Sequence, residues 1–237
     1  MKRFRAGCLT GAVAVIGAVL LIGQLPVTSR EGVGEIVKEH RLPLWEKAAR
    51  FLVRDAEFRR MAEEAAGGEA DPERRVVRLL EWTRAQVRLQ PEGLPFIDDH
   101  ISHIVLRHYG NAGQMAEVFT ALTTYTGNEG RWEWSKPPGR GVGLVLAFVR
   151  SSRGWWVFDV ANGIWFERPD GGIAVIEDFQ DMARLTMRGR APDSRDGRPY
   201  RDFYSNLEAV WRVSFSRAYE QMPWHRLRAI LGLAPAS

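Results

Sequence analysis

Cysteine is nearly absent from this chain of 237 residues. The single cysteine, Cys8, lies in an apolar run near the N-terminus. Cysteine catalysis needs a thiolate formed beside a base or at a helix N-terminus. A thiol in this N-terminal run cannot reach the active site of a soluble domain, so the sequence argues against thiol chemistry there. The Gly-x-Ser-x-Gly pattern that would support a serine nucleophile is also missing.

Clusters of basic residues are missing as well. The formal net charge is +4, but the basic side chains are spread among acidic ones. Nucleic-acid-binding domains carry basic patches, often interleaved with aromatic residues, so no nucleic-acid partner is expected. Anionic lipid headgroups or an acidic partner remain open. Apolar residues make up 45% and charged residues 26% of the chain, which is ordinary for a globular protein and excludes wholesale disorder.

The N-terminus has the pattern of a membrane anchor. Residues 1–6 are basic, and residues 7–27 contain no charge. About 20 apolar residues suit a bilayer-spanning helix. The alternative, a cleaved signal peptide, needs a small-x-small cleavage site, and the residues after the run offer no clean one. We therefore expect a single-pass anchor in the cytoplasmic (inner) membrane, with the N-terminus inside and the bulk of the chain periplasmic.

Small residues recur on one face of the predicted transmembrane helix. Gly7, Gly11, Ala14 and Ala18 follow a spacing of four, three and four residues. Small side chains let a second helix approach closely in lipid, where packing drives association. The stripe indicates packing against the subunits of a membrane complex. The alternative is that glycine and alanine are simply frequent in membrane anchors.

The segment between the anchor and the main domain is predicted as a helical connector over residues 28–69. Its helix is expected over residues 31–66, kinked or broken at Pro43 because proline removes a backbone donor. The next helix starts at Asp71-Pro72, an N-cap followed by proline in the first turn. It opens the predicted core domain, residues 70–177.

Two short stretches suggest ligand chemistry. His100 and His103, with Asp98 and Asp99 beside them, would share one helix face and form a weak candidate metal site. The alternative is helix capping by Asp98 or Asp99. The glycine-rich residues 139–143 precede a strand and do not open a helix, unlike a phosphate-binding loop. No cofactor is predicted.

Beyond residue 130 the pattern changes to short strands rich in β-branched and aromatic residues. Their close spacing predicts an antiparallel meander, and with the preceding helices an α+β fold. Residues 178–237 are predicted as a C-terminal helical extension, with helices over 178–188 and 201–221. Trp224 and the arginines around it suit a membrane-interface segment, while docking on the soluble domain is the alternative.

Residues 106–128 and 143–160 resemble the core of the transglutaminase-like superfamily, which has a papain-type arrangement. The resemblance rests on a Gly-x-x turn that opens a helix with inward alanine and phenylalanine, and on a Trp-x-x-Asp strand end. The residues concerned are Gly110, Asn111, Ala112, Ala116, Phe119, Leu122, Gly127, Trp156 and Asp159. The resemblance implies that Ala112 replaces the catalytic cysteine, that Leu144 replaces the histidine, and that Asp159 matches the third catalytic residue.

The resemblance therefore implies a vestigial site and a protein that is not an enzyme. The leading hypothesis is a membrane-anchored pseudoenzyme that binds other proteins in a larger membrane complex. A second hypothesis is an envelope enzyme that uses displaced residues among Asp98, Asp99, His100 and His103. A third is a peptide- or glycan-binding module that uses the vestigial cleft, with sugars stacking on tryptophans. The candidate tryptophans are Trp132, Trp134, Trp155, Trp156 and Trp165.

Overall fold

The computed structural model describes residues 17–31, 38–95, 97, 100–135, 143–192, 194–195, 198–204, 207 and 217–232. The chain divides into two compact units, residues 1–55 and residues 56–237. The α-helices are α1 (Leu44–Ala66), α2 (Pro72–Gln86), α3 (Ile101–Arg107), α4 (Ala112–Tyr125), α5 (Arg217–Gln221) and α6 (Pro223–Ile230). The strands are β1 (Pro26–Glu31), β2 (Lys38–Pro43), β3 (Arg88–Leu89), β4 (Tyr109–Gly110), β5 (Gly130–Ser135), β6 (Leu144–Arg150), β7 (Trp155–Asp159), β8 (Ile164–Glu167), β9 (Thr186–Arg188), β10 (Ser194–Arg195) and β11 (Arg198–Pro199).

The first unit contains a β-hairpin where the sequence predicted helix. Strands β1 and β2 pair antiparallel from Pro26↔Pro43 to Glu31↔Lys38. The predicted helix over residues 31–66 is therefore wrong for residues 38–43, and α1 begins directly after Pro43. The physical reason is that proline also disfavours helical backbone in the residue before it.

The predicted membrane span is only partly covered by the structure. Residues 7–16, with Gly7, Gly11 and Ala14, lie outside the described residues. Residues 17–23 are helical and Ala18 is exposed. The last two residues of the predicted span, Pro26 and Val27, belong to strand β1. None of the helices described is both long enough and apolar enough to cross a bilayer.

Helix α2 of the second unit begins at the predicted helix start. Asp71 caps α2, because its Oδ1 accepts a hydrogen bond from the Arg74 backbone nitrogen at 2.9 Å. Pro72 then occupies the first turn, where a missing backbone donor costs nothing. Val76, Leu79 and Leu80 on one face of α2 are fully buried. The helix predicted from the Asp-Pro pair is confirmed.

The main sheet has five strands in the order β5-β6-β7-β8-β9. All four neighbouring pairs are antiparallel, which confirms the predicted meander. The fifth strand is β9, which pairs with β8. Residues 173–176 make only single bridges with this sheet, Glu167↔Ile173 and Trp156↔Val175.

Hydrophobic residues cover both faces of the sheet. Val145, Ala147 and Val149 face the cluster that contains α4, whereas Leu144, Leu146 and Phe148 belong to a second cluster on the opposite face. Side chains alternate between the faces along a strand, so a strand buried on both sides is apolar throughout. This explains the continuous apolar run of β6.

The C-terminal part differs from the predicted helices. Residues Ile176–Arg184 form 3-10 helix, and β9 follows where the helix over 178–188 was expected. In the segment 201–221, a 3-10 turn covers Tyr200–Phe203 and α5 covers the last five residues. Most of the intervening residues lie outside the described part of the chain. The side chains of the 3-10 turn pack into the second cluster, so sheet packing rather than helix periodicity fixes this segment.

Candidate functional site

The N-terminus of α4 is held by a reciprocal cap. Asn111 Oδ1 accepts from the Gln114 backbone nitrogen at 2.9 Å, and Gln114 Oε1 accepts from the Asn111 backbone nitrogen at 3.0 Å. This capping box satisfies two donors that the first turn would leave unpaired. Gly110 is needed beside it, because a Cβ there would lie 2.9 Å from Gln114 Cβ and 3.2 Å from Ile104 Cγ2.

Ala112 is the first residue of α4, as the resemblance predicted. Its half-buried methyl group packs against the cluster between α4 and the sheet. The next residue, Gly113, faces the edge strand: a Cβ there would lie 3.4 Å from the Cη2 atom of Trp132. A methyl group at this helix N-terminus offers neither a nucleophile nor a proton donor.

The other two positions that the resemblance names, Leu144 and Asp159, face the second cluster. Leu144 belongs to the cluster on the opposite face of the sheet. Asp159 pairs with Ile164, which lies in that same opposite cluster, whereas its neighbour Phe158 contacts Phe119 of α4 at a ring-centroid distance of 5.2 Å. Because paired residues share a face, the side chains of Leu144 and Asp159 point away from α4.

Asp159 is instead the centre of a buried hydrogen-bond network. Its carboxylate accepts from Tyr200 Oη at 2.7 Å, from Tyr204 Oη at 3.0 Å and from Asn162 Nδ2 at 2.9 Å. Only 2% of Asp159 is exposed. Burial, and then the negative charge of Asp159, raise the pKa of Tyr204 far above its ordinary value. Tyr204 therefore stays protonated and keeps donating, which suits Asp159 to a structural role.

The two candidate metal ligands make other contacts. His100 Nε2 lies 3.1 Å from Gln221 Oε1, and its Nδ1 lies 3.0 Å from Ser102 Oγ. The N-cap of α3 is His100 itself, not Asp98 or Asp99, both of which lie outside the described residues. In the part of the chain that the structure covers, no three histidine, cysteine, aspartate or glutamate side chains are grouped to hold a metal.

The five candidate tryptophans fall into two groups. Trp132 and Trp134 on β5 are 36% and 49% exposed. They pair with Ala147 and Val145, which face α4, so both indoles lie on the α4 side of the sheet. The other three tryptophans make packing contacts. Trp156 is buried, Trp165 packs on the core, and Trp155 stacks with the side chains of two arginines. An exposed aromatic pair therefore lies on the α4 side of the edge strand, and Trp132 of this pair borders Gly113 in the first turn of α4.

Comparisons with known proteins give weak structural likenesses. No protein-family model matches the chain, and neither does any curated protein. A candidate cysteine protease from Cytophaga hutchinsonii is 14% identical with a TM-score of 0.39, covering 62% of this chain and 54% of that one. A protein described as a TGase is 13% identical with a TM-score of 0.40, covering 56% and 43%.

A third solved structure is a candidate protease from Parabacteroides distasonis. It is 11% identical with a TM-score of 0.34, covering 59% of this chain and 40% of that one. The chain thus spans about half or less of the length of these structures. Similarity at this level describes partial overlap of a mixed helix-and-sheet architecture and decides nothing about activity.

Proposed function

We propose that this protein is a non-catalytic, membrane-anchored subunit whose transglutaminase-like outer domain binds other proteins of a membrane complex. One observation carries the proposal. The helix N-terminus that would present a nucleophile carries a capping box, yet Ala112 places a methyl group there. An ordered helix N-terminus without a nucleophile suits a binding surface better than a catalytic one.

The proposed binding surface is the exposed aromatic pair beside that helix. Trp132 and Trp134 lie on β5, which is an edge strand of the sheet. Tryptophan is enriched among the residues that dominate binding energy at protein interfaces. An edge strand also carries backbone groups that can pair with an added strand. Both features favour a protein partner at this edge.

The hydrogen bonds of Asp159, on the face of the sheet opposite α4, also support the non-catalytic proposal. Its oxygens accept hydrogen bonds from two buried tyrosines and from Asn162. A carboxylate engaged in this way is unsuited to orienting a histidine on the α4 side. The sequence supplies no histidine on β6 or β7. General-base chemistry at Ala112 would therefore lack its base.

The test compares variants of the full-length tagged protein purified in mild detergent. We expect a stoichiometric protein partner to stay bound to the wild type and to Trp224→Ala, a matched loss of an exposed tryptophan. Trp132→Ala, Trp134→Ala should lose it, because removing an interface tryptophan commonly costs about 2 kcal/mol, or roughly thirtyfold in affinity. If only Trp224→Ala loses the partner, the interface lies on the C-terminal segment and not on β5.

The wild-type protein in the same preparation should incorporate no fluorescent amine into a glutamine-containing protein. Measurable incorporation would overturn the non-catalytic proposal. The anchor is tested separately with Gly11→Leu, Ala14→Leu, which fills the small-residue stripe. If that variant co-purifies its partner at wild-type yield, the stripe does not carry the contact.

A second candidate function is peptide or glycan binding beside the start of α4. The observation that favours it is the same exposed pair, since indole faces stack on sugars and on aromatic side chains. Saturable quenching of tryptophan fluorescence by an oligosaccharide, lost in Trp132→Ala, Trp134→Ala, would favour this function over protein binding.

A further inference from the structure

A groove lies where two chain segments meet in a parallel pair. It is formed by the end of α2, strand β3, the end of α3 and strand β4, and its volume is about 580 Å³. The lining residues are Ala85, Gln86, Arg88, Leu89, Pro91, Arg107, His108 and Tyr109. β3 and β4 pair in the register Arg88↔Tyr109, which brings two arginines 19 positions apart in sequence to one groove.

The charged side chains among the described residues that line the groove are basic. Two of these residues carry guanidinium groups, and none of the described lining residues is acidic. Within the described part of the chain, the exposed Arg88 side chain has no hydrogen-bond or ion-pair partner. A guanidinium presents donors in a planar fork that matches the oxygens of carboxylates and phosphates.

Arg107 is held in a fixed orientation. Its Nε donates to the Tyr109 carbonyl at 3.1 Å, and its guanidinium lies over the Tyr109 ring at 5.0 Å from the centroid. The ring and the carbonyl restrict the rotamers of a long side chain. A cation ordered before a ligand arrives loses less entropy on binding.

His108 fixes the shape of the groove. It adopts a left-handed backbone with φ 62°, and among the described residues it alone does so without being glycine. Such a conformation is unfavourable for most residues and persists only where surrounding contacts hold it. The Arg88 backbone nitrogen donates to the His108 carbonyl at 3.0 Å, and His108 Nδ1 lies 3.1 Å from the Gln86 carbonyl. These contacts lock the end of α3 against the α2–β3 junction.

The remaining walls are apolar. Ala85, Leu89 and Pro91 line the groove, and Leu89 is 56% exposed. A volume of this size falls in the range of small-molecule sites, roughly 300–1,000 Å³. Apolar walls beside two arginines favour a ligand with an anionic head and an apolar body over a bare ion.

We propose that the groove between α2–β3 and α3–β4 binds a small organic oxyanion, with Arg88 and Arg107 contacting its charged head and Leu89 and Pro91 contacting its apolar body. The proposal is independent of the partner-binding function proposed above, because it uses none of the residues on β5.

The test is calorimetric titration of the full-length protein in a neutral detergent with phenyl phosphate at low ionic strength. We expect saturable one-to-one binding that added NaCl weakens, since charge attraction is screened by salt. Arg88→Gln should weaken the affinity by about tenfold or more. Arg228→Gln, an exposed arginine on α6 with the same change in charge, should bind as the wild type does.

The other probes separate the two parts of the ligand. Benzyl alcohol, which keeps the ring but lacks the anion, should not bind saturably. Inorganic phosphate should bind more weakly than phenyl phosphate. Equal affinity for the two would overturn the role of Leu89 and Pro91. Benzoate shows whether a carboxylate head is accepted as well as a phosphate.

Two results would overturn the site itself: absence of saturable binding, or equal affinities of Arg88→Gln and the wild type. Arg88→Lys is the control for a folding defect, because this substitution keeps the positive charge and removes only the planar guanidinium. It should bind with an affinity between those of the wild type and Arg88→Gln, and each variant should retain the wild-type circular dichroism spectrum.

Discussion

The buried network around Asp159 gives the sharpest stability prediction. In Asp159→Ala, the Tyr204 hydroxyl loses its charged acceptor, which lies at 3.0 Å. The Tyr200 hydroxyl loses a 2.7 Å bond to the same carboxylate but keeps its contact with Asn162 Nδ2 at 2.7 Å. Two buried hydroxyl groups therefore lose a charged acceptor: Tyr204 retains the neighbouring Tyr200 hydroxyl, and Tyr200 retains the Asn162 amide as a donor but loses the acceptor of its own O–H.

The magnitude follows from these losses. A buried group left unsatisfied costs about 1–3 kcal/mol, and a hydrogen bond to a charged group contributes about 1.5–3 kcal/mol. Relief from burying the carboxylate offsets part of the sum. We expect Asp159→Ala to lower the free energy of unfolding by about 3 kcal/mol. For a chain of this length, that corresponds to a midpoint lower by roughly 6–12 °C.

The assay is urea and thermal unfolding followed by tryptophan fluorescence. Tyr204→Phe keeps the ring between Phe166 and Phe179 and should cost less, about 1.5 kcal/mol. The double variant should cost less than the sum of the two, because both changes remove the same bond. Asp181→Ala is the control: its ion pair with Arg184 is more than half exposed and contributes at most about 1 kcal/mol. If Asp159→Ala and Asp181→Ala unfold at the same midpoint, the network does not stabilise the fold.

Three further predictions concern a titration, a backbone contact and positions 112 and 144. Because the pKa of Tyr204 is raised in the folded state, this tyrosine loses its proton near pH ~10 only in the unfolded chain. Its stabilising contribution is therefore present below pH ~10 and is lost as the pH rises further. The difference in stability between wild type and Tyr204→Phe should shrink by about 1.4 kcal/mol per pH unit above pH ~10. Gly130→Ala should cost about 1–3 kcal/mol or more in urea unfolding, because the new Cβ would lie 2.6 Å from the Thr120 carbonyl oxygen; an unchanged midpoint would contradict this close approach. Ala112→Cys, Leu144→His should incorporate no fluorescent amine, because the imidazole would lie on the opposite face of the sheet; turnover would show that these positions meet.

Local sequence patterns predicted the elements that local forces determine. Asp71-Pro72 predicted the start of α2, and Asn111 followed by Gln114 three residues later produces a cap at the start of α4. The closely spaced strands predicted an antiparallel meander. In each case the relevant interactions join residues a few positions apart, so the sequence carries them directly.

Local patterns failed where partners lie far apart in the chain. The local sequence of residues 38–43 predicted a helix, but in the structure these residues form β2 and pair with β1. His100, a candidate metal ligand, has a ring nitrogen 3.1 Å from Gln221, 121 positions away. The groove of Arg88 and Arg107 went unpredicted because β3 and β4 are two-residue strands with no periodicity to detect.

The sequence by itself determined which atoms are available for chemistry. It places alanine at position 112, its one cysteine at position 8 and no histidine between His108 and His225. Only the tertiary structure decided which of the remaining groups meet. A one-residue difference in strand position moves a side chain to the other face of a sheet, and Asp159 lies on the face where Tyr200 and Tyr204 donate to it. The continuous apolar run of β6 shows in the sequence that both faces of the strand are buried, but the face on which α4 packs is set by long-range burial.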